Sequence, residues 1–381
     1  MPVKNHTKQF SGILKLAQQA KNNAYKNANI ELINLYWQIG EYISCKVESA
    51  EWGMNVVDKL AEFIEKKSPD LKGFDRRGLY RMKQFYDAYS PEQIASSYNN
   101  EADIEIVSAV RTQSGAKSKN PIVSAVRKQL NINALSSIKE TILAQISWTN
   151  HRLILSKTTS QEEQMFYLLL TVKESYSSRE LERQIDSGYY ERVMLSKRKV
   201  SPLVTQLRKD ISEVFKDTYV FEFLNLPGNH SENDLQKGLV QNIKKLLLEL
   251  GKDFSFIGEE YKLKVGSKDY SVDLLFYHRE LCCLVAFELK IEDFKPEHLG
   301  KLNFYLEALD REIKKKHENP SVGVLLCKQK DDEVVEYALS RSLSPTLISK
   351  YKTKLIDKKL LKKKLHELFQ LEDARNKNKL S

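Results

Sequence analysis

The residues of this sequence best suited to catalysis are two carboxylates and a lysine in its C-terminal half. Asp273 lies in YSVDLLFYH, and Glu288 and Lys290 lie in CLVAFELK, which gives the spacing D-x14-E-x-K. Carboxylate oxygens suit Mg²⁺, a hard cation that binds through one or two carboxylates together with water and substrate phosphate. Such an ion polarises a phosphodiester and acidifies a bound water, while a lysine orients that water and balances developing charge. The pattern therefore indicates metal-dependent phosphodiester hydrolysis.

A β-hairpin would bring these three side chains together. Two apolar stretches are separated by the polar residues 278–280, which predicts two antiparallel strands and a turn. Strand side chains alternate between faces, so Glu288 and Lys290 share a face, and a loop of even length places Asp273 on it as well. Burying two carboxylates and an ammonium is costly unless they bind something. The spacing alone leaves open an ordinary salt bridge at a strand end.

The elements around this hairpin predict an α/β domain with a central sheet. Ser231 and Asp234 resemble a capping box, and apolar residues at helical spacing predict an amphipathic helix from Leu235 to Leu250 that ends at Gly251. Strand-like segments and one further helix follow. The predicted strands are Phe254–Ile257, Tyr261–Val265, Tyr270–Tyr277, Cys282–Lys290 and Val322–Cys327, and the helix is Leu299–Ala308.

The N-terminal half is predicted to be mostly helical. Apolar residues recur at helical spacing over residues 10–47, 54–66 and 76–89, and again over 134–200. Between them, IVSAVR occurs at 106–111 and again at 122–127. A single short duplication cannot form a solenoid, which needs at least three repeats, so we interpret it as a local tandem insertion without chemistry of its own.

One helix of this half is a candidate nucleic-acid-binding element. Asp75 is a good N-cap for the helix over 76–89, and a short helix and a turn precede it, as in a helix-turn-helix. An ordinary solvated helix face accounts for the same pattern. The basic residues on the face opposite the apolar one are Arg76, Arg77, Arg81 and Lys83.

Composition favours an intracellular protein with a polyanionic partner. The 381 residues carry 61 basic and 51 acidic side chains, a net charge of +10, and residues 1–200 account for +7 of it. The four cysteines form no CxxC pair or disulfide framework, and the histidines form no zinc motif. No signal-peptide pattern is present, and the longest apolar run, 281–287, is too short to span a bilayer. We therefore expect a cytoplasmic location and no membrane contact.

The sequence resembles the YhcG-type PD-(D/E)xK nuclease family over nearly its whole length. The C-terminal resemblance lies in residues 231–309, which include YSVDLLFYH and CLVAFELK, and in ENPSVGVLLC at 318–327. The N-terminal resemblance lies in LYWQIGEYI (35–43), WGMNVVDKLA (52–61), GFDRRGLYRMKQFY (73–86) and SSRELERQI (177–185). The family implies a helical N-terminal module, a restriction-endonuclease-like core and a nucleic-acid-related role in bacteria. It also implies that Asp273 and Glu288 bind metal and that Lys290 is the catalytic lysine.

The resemblance also implies a further acidic ligand from the first helix of the core. The candidates are Glu232, Asp234 and Glu249, and we select Glu232. At two positions the sequence differs from the expected family pattern, because Gln236 replaces a glutamate and Lys301 replaces a glutamine. In addition, eight of the fifteen residues from 350 to 364 are lysines, which fits a nucleic-acid backbone or a solvated helix equally well.

Together these observations predict an α+β protein of two domains. Residues 1–200 form a mostly helical domain, and residues 212–370 form a restriction-endonuclease-like α/β domain with a central mixed sheet. The predicted activity is Mg²⁺-dependent endonuclease-type cleavage, with Mn²⁺ as a substitute and DNA favoured over RNA. The alternatives are a nuclease-like fold that binds nucleic acid without cutting it, and a subunit whose N-terminal domain recruits a protein partner. The oligomeric state is not predicted.

Overall fold

The computed structural model describes residues 3–90, 138–196 and 214–380, apart from 228 and 343. The chain divides into two compact units, Met1–Ile185 and Asp186–Ser381. Both IVSAVR copies lie outside the described residues, and the domain bounds of 1–200 and 212–370 stay a prediction. None of the helices within the described ranges is long and apolar enough to cross a bilayer.

The first unit is helical, as predicted. The side chain of Asp75 accepts a hydrogen bond from the Gly78 amide (2.6 Å), which makes it the N-cap of the basic helix. Gly40 lets the first helix approach this helix closely, since a Cβ there would lie 2.2 Å from the Met82 carbonyl oxygen. The helices are α1 (Val3–Glu48), α2 (Met54–Lys67), α3 (Arg76–Tyr89), α4 (Trp148–Lys157), α5 (Gln161–Glu174) and α6 (Ser178–Asp186), with 3-10 turns at Ile138–Glu140 and Ile142–Gln145.

The second unit is built on the predicted mixed sheet, in the order β1-β6-β5-β4-β3-β2. The β1, β6, β5 and β4 strands are parallel, whereas β4, β3 and β2 form an antiparallel meander. The strands are β1 (Thr218–Val220), β2 (Phe254–Val265), β3 (Lys268–His278), β4 (Cys283–Leu289), β5 (Val322–Cys327) and β6 (Thr346–Lys352). The fold class is therefore confirmed as α+β overall, with an α/β second unit.

Helices cover both faces of this sheet, so the β4 strand is buried at every position. One face packs against two consecutive helices through Leu235, Leu239 and Leu246, and the other packs against the helix that contributes Leu302 and Leu306. The helices of this unit are α7 (Tyr189–Met194), α8 (Glu232–Gln241), α9 (Ile243–Leu250), α10 (His298–Ala308), α11 (Asp332–Leu339) and α12 (Lys358–Leu380), with a 3-10 turn at Glu222–Leu224 and a π-helical extension of α10 at Leu309–Ile313.

Two predicted elements were wrong in detail. The single helix expected from Leu235 to Leu250 is interrupted at Asn242, which ends the first helix and whose side-chain amide donates to the Gly238 carbonyl (3.0 Å). Conversely, the two short strands expected before Val265 form one strand, because an irregularity between Phe256 and Gly258 absorbs the interruption as a β-bulge.

A buried ionic cluster joins α7, α9 and the first strand of the sheet. The Glu249 carboxylate is fully buried, and its Oε1 accepts a hydrogen bond from the Val220 amide (3.1 Å). The same oxygen lies 3.3 Å from Lys216 Nζ and 3.8 Å from Arg192 Nη1. This position is separate from the D…ExK residues, so Glu249 serves the packing of the unit and is not available as the further acidic ligand.

Replacing Glu249 with alanine should therefore destabilise the second unit strongly. The change leaves two buried cations without this counter-charge, which typically costs about 3–5 kcal/mol. The matched control is Glu307→Ala, which removes an exposed carboxylate paired with Arg311 and should cost less than about 1 kcal/mol. Urea unfolding followed by circular dichroism measures both; equal midpoints for the two variants would contradict the role given to Glu249.

Candidate active site

The hairpin places Asp273 and Glu288 across from each other. The β3 and β4 strands pair antiparallel, and the last pair in register is Leu274 with Phe287. Asp273 and Glu288 are the next residue of each strand, and the charge of Glu288 acts on Asp273. The two strands lie near the middle of the sheet, so their side chains meet where little water reaches them.

Glu288 has one carboxylate oxygen that contacts two lysines and one without a hydrogen-bond partner among the described residues. Its side chain is only 1% exposed, and Oε1 lies 2.7 Å from Lys301 Nζ and 3.2 Å from Lys290 Nζ. In contrast, Oε2 is buried and accepts no hydrogen bond from any residue in the described part of the chain. A buried oxygen of this kind costs free energy, which a bound cation or its water would recover.

Asp273 is held by the backbone beside it. Its Oδ2 accepts a hydrogen bond from the Leu289 amide (2.8 Å). Burial, and then the charge of Glu288, raise the pKa of Asp273 to about 6, although this hydrogen bond and the lysines oppose the shift. Burial is the larger of the two causes, and the repulsion from Glu288 adds to it, so the ionised form of Asp273 is disfavoured here.

Lys290 follows β4 directly and links three groups of the site. Its Nζ lies 3.2 Å from Glu288 Oε1 and 3.1 Å from Glu232 Oε2, and it donates to the Leu289 carbonyl (3.0 Å). Burial by itself would lower the pKa of Lys290, but the two glutamates outweigh burial and raise it. Lys290 is therefore a firmly protonated group beside the carboxylate pair.

The acidic residues at the start of α8 differ in their availability. Glu232 is the first residue of the helix, is 44% exposed, and pairs with Lys290. Asp234 is engaged in the capping box, where it accepts hydrogen bonds from the amide and the hydroxyl of Ser231. Of the acidic candidates weighed from the sequence, Glu232 is thus the one that contacts the site, and it does so through Lys290.

Lys301 stands out in the sequence only as a departure from the family pattern, yet this residue contacts the site directly. It lies on α10, half-exposed, with Nζ 2.7 Å from Glu288 Oε1 and 5.4 Å from the centre of the Tyr305 ring. Burial would lower the pKa of Lys301, but the hydrogen bond and charge of Glu288 raise it. Gln236 also lies next to the site, because its Nε2 donates to the Asp273 carbonyl (2.9 Å). The sequence feature that could have pointed to both residues is that positions 236 and 301 differ from the family pattern.

The donor atoms fit a hard cation bound largely through water and phosphate. Among the residues that the structure describes, no three histidine, cysteine or acidic side chains are gathered as a metal cage. Two facing carboxylates and an unpartnered Glu288 oxygen are nevertheless what Mg²⁺ uses when it keeps several waters. Lys290 and Lys301 add positive charge beside them, which suits an anionic substrate group.

The basic residues of α3 belong to the first unit, and only some of them form ion pairs with acidic residues. Arg76 pairs with Asp58 (2.8 Å), and Lys83 is half-buried and pairs with Asp87 (2.6 Å). Arg77 and Arg81 are exposed, and neither forms an ion pair with another described residue. Only these two therefore present unopposed charge on the predicted face.

Two family models together cover most of the chain. The YhcG PDDEXK nuclease domain matches residues 212–366, and the DUF1016 N-terminal domain matches residues 12–110 and 118–192. The chain is 28% identical to YhcG of Escherichia coli (strain K12) over 359 residues, which is 92% of this chain and 91% of that protein. The first match contains all of the D-x14-E-x-K segment and the second contains α3.

Similarity to solved structures is limited to part of the chain. A repair endonuclease from Pyrococcus abyssi is 15% identical over 34% of this chain and 49% of its own, with a TM-score of 0.23. EndoMS in a complex with double-stranded DNA is 18% identical over 33% of this chain and 45% of its own, also with a TM-score of 0.23. Overlaps of this size support no conclusion about the site.

Proposed function

Since this chain belongs to the YhcG-type PD-(D/E)xK nuclease family, we propose that it hydrolyses nucleic-acid phosphodiesters with Mg²⁺ at the Asp273–Glu288–Lys290 site. The observation that supports this most strongly is the pair of facing carboxylates with an unpartnered oxygen, next to a protonated lysine. A bound cation would give that buried oxygen the partner that the described residues do not supply. DNA is the proposed substrate class, and the net charge of +10 suits any such polyanion.

Each residue of the site has a proposed role. Asp273 and Glu288 would hold the metal ion, and Mn²⁺ should replace Mg²⁺ because it prefers the same oxygen ligands. When bound, the ion supplies Lewis-acid polarisation of the phosphate and acidifies a coordinated water. Lys290 would orient the attacking water and offset the charge that develops on phosphate oxygens. Glu232 would fix the position of the Lys290 ammonium through their 3.1 Å ion pair.

A cleavage assay with purified protein tests the proposal. The substrates are duplex DNA, single-stranded DNA, branched DNA and RNA. Each should be incubated with Mg²⁺, with Mn²⁺ and with a chelator. We expect cleavage of at least one substrate with either ion and none with the chelator. Ca²⁺ should bind and support little cleavage, since its looser coordination misplaces the water.

The ion pair between Lys301 and Glu288 favours a second candidate function. A lysine at this distance occupies one of the two oxygens that a metal ion would use. The nuclease-like fold would then bind nucleic acid without cutting it, or the N-terminal domain would recruit a protein partner. This alternative is supported if the protein binds nucleic acid without a metal ion and cleaves none of the substrates.

The helical unit is proposed to contribute nucleic-acid binding through α3. Replacing Arg77 and Arg81 with alanine in the full chain should weaken DNA binding in the presence of a chelator, whatever the DNA sequence. A plot of log affinity against log salt concentration has a negative slope. Each DNA phosphate that the protein no longer neutralises makes this slope shallower by about 0.9. The control is Lys66→Ala with Lys67→Ala, which removes the same charge from the exposed end of α2. Equal slopes for both variants and the wild type would show that α3 is a solvated face or a protein-binding surface.

A further inference from the structure

The edge of the sheet that carries the candidate site continues as a row of lysines over the neighbouring strands. Lys290 follows β4, Lys328 follows β5, and Lys350 and Lys352 end β6. These three strands are parallel, so their carboxyl ends lie at one edge of the sheet. The registers of Leu289 with Leu326, and of Cys327 with Lys350, keep these ends level.

The positive charge of this row is only partly balanced. Lys350 Nζ lies 4.0 Å from Asp217 Oδ2, but the other oxygen of Asp217 is already bound by the buried Lys330. Lys328 is exposed and Lys352 is partly buried, and the described residues offer neither of them a carboxylate within ion-pair distance. Lys328 and Lys352 are therefore the lysines of this row that have no close carboxylate among the described residues.

The environment of Lys352 shows that this arrangement has a cost. Burial lowers the pKa of Lys352, and Lys350 and Lys328 lower it further, while Asp293 opposes the shift. A partly buried ammonium beside two like charges becomes favourable when an anion lies among them. Phosphate groups are anions of suitable size, and lysines bind them as point charges.

We propose that Lys328, Lys350 and Lys352 bind the phosphate backbone of the nucleic acid beside the point of cleavage. This inference rests on the proposed function and adds the path of the substrate across the sheet edge. Adjacent strands lie about 4.8 Å apart, so β6 is roughly 10 Å from β4. If one phosphate of a nucleic-acid strand lies at Lys290, another phosphate of the same nucleic-acid strand, roughly 10 Å away, would lie over Lys328, Lys350 and Lys352.

The test is the salt dependence of DNA binding by the full chain carrying Lys328→Gln and Lys352→Gln. Binding of a short fluorescent duplex is measured in the presence of a chelator, across a series of salt concentrations. The negative slope of log affinity against log salt concentration should become shallower by about 1.8, since each neutralised phosphate contributes about 0.9. The exposed Lys328→Gln alone should give about half of this change, and it serves if the double variant fails to fold.

The matched control removes two lysines before the same strand β5. Lys315 and Lys316 are exposed and precede its amino end, and their double change to glutamine alters the net charge equally. The control should retain the wild-type slope. A slope unchanged by Lys328→Gln with Lys352→Gln, or lowered as much by the control, overturns the inference.

Cleavage separates this inference from the proposed function. The Lys328→Gln, Lys352→Gln variant should cleave with a raised KM and a kcat close to wild type, because the residues of the candidate site are unchanged. If the wild type cleaves and the variant matches it in both constants, the inference falls and the proposed function stands. A wild-type protein that neither binds nor cleaves any nucleic acid overturns both.

Discussion

Replacing Asp273 with alanine is expected to abolish metal-dependent cleavage and to weaken metal binding. The side chain supplies one of the two facing carboxylates, and removal of even an outer-shell partner of a metal site commonly costs 10–100-fold. Removing a ligand should therefore lower cleavage by more than about a hundredfold. Isothermal titration with Mn²⁺ measures the metal affinity, and initial cleavage rates measure the activity.

Asp273→Asn is the sharper version of this variant. The amide oxygen can still accept the hydrogen bond that the Leu289 amide now gives to Asp273 Oδ2, so the hairpin end should keep its shape. Only the charge is removed. Cleavage and metal affinity should fall nearly as far as in Asp273→Ala, whereas unchanged metal affinity would remove Asp273 from the ligand set.

The same variant gives an expected pH dependence. The pKa of Asp273 in the metal-free protein is about 6, raised above its ordinary value by burial and by Glu288. The folded protein therefore binds more protons than the unfolded chain between about pH 4 and pH 6, and its stability falls as pH rises through this range. Asp273→Asn does not undergo this decrease, so its stability relative to the wild type should rise by about 3 kcal/mol between pH 4 and a pH well above 6.

Metal binding should show the opposite trend. The ligand must release its proton, so wild-type affinity for Mn²⁺ should rise with pH up to about 6 and then level off. In Asp273→Asn this rise should be much smaller. Thermal unfolding and titration at pH 5 and pH 8 measure both effects, and identical pH profiles for the two proteins would contradict this assignment of the titrating group.

Replacing Lys290 with alanine is expected to abolish cleavage while leaving metal binding largely intact. Its ammonium lies 3.2 Å from Glu288 Oε1, so it is placed beside the proposed ligands without being one of them. Removing a group that stabilises charge in the transition state typically lowers the rate by about a hundredfold to a thousandfold. Affinity for Mn²⁺ should stay the same or increase, because one positive charge next to the carboxylates is gone.

Lys295→Ala is the matched control for this variant. Lys295 is exposed, lies in the segment after β4, and pairs with Glu292 at 2.6 Å, so its removal tests the effect of deleting a nearby positive charge. The control should cleave at close to the wild-type rate. A similar decrease in both variants would indicate a general electrostatic effect on substrate binding in place of a role at the reacting phosphate.

Local pattern was sufficient to predict the hairpin that carries the candidate site and the start of two helices. Period-two alternation and the polar break at 278–280 predicted the hairpin, whose register runs to Leu274 with Phe287, the residues next to Asp273 and Glu288. Capping chemistry predicted the start of α8 at Ser231 and of α3 at Asp75, and both hydrogen bonds are present. These signals depend on residues close in sequence, which is why they transfer directly to the structure.

Features that depend on tertiary contacts were not predictable in this way. Lys301 reaches Glu288 only because α10 packs against this face of the sheet. Glu249 had the right residue type for a ligand, but Lys216, Arg192 and the Val220 amide hold it in another part of the unit. Likewise, the ion pair of Arg76 with Asp58 joins two helices and could not be inferred from a basic helix face, whereas that of Lys83 with Asp87 is an i,i+4 pair within α3.

The central claim is that Asp273, Glu288 and Lys290 form a metal-dependent nuclease site. The most direct measurement compares DNA cleavage by wild type and by Lys290→Ala, purified identically, with Mg²⁺ and with a chelator. The predicted result is cleavage by the wild type with Mg²⁺ alone, and none by Lys290→Ala although it binds metal normally. Equal cleavage by the two proteins would mean a contaminating nuclease or a different site, and would contradict this assignment.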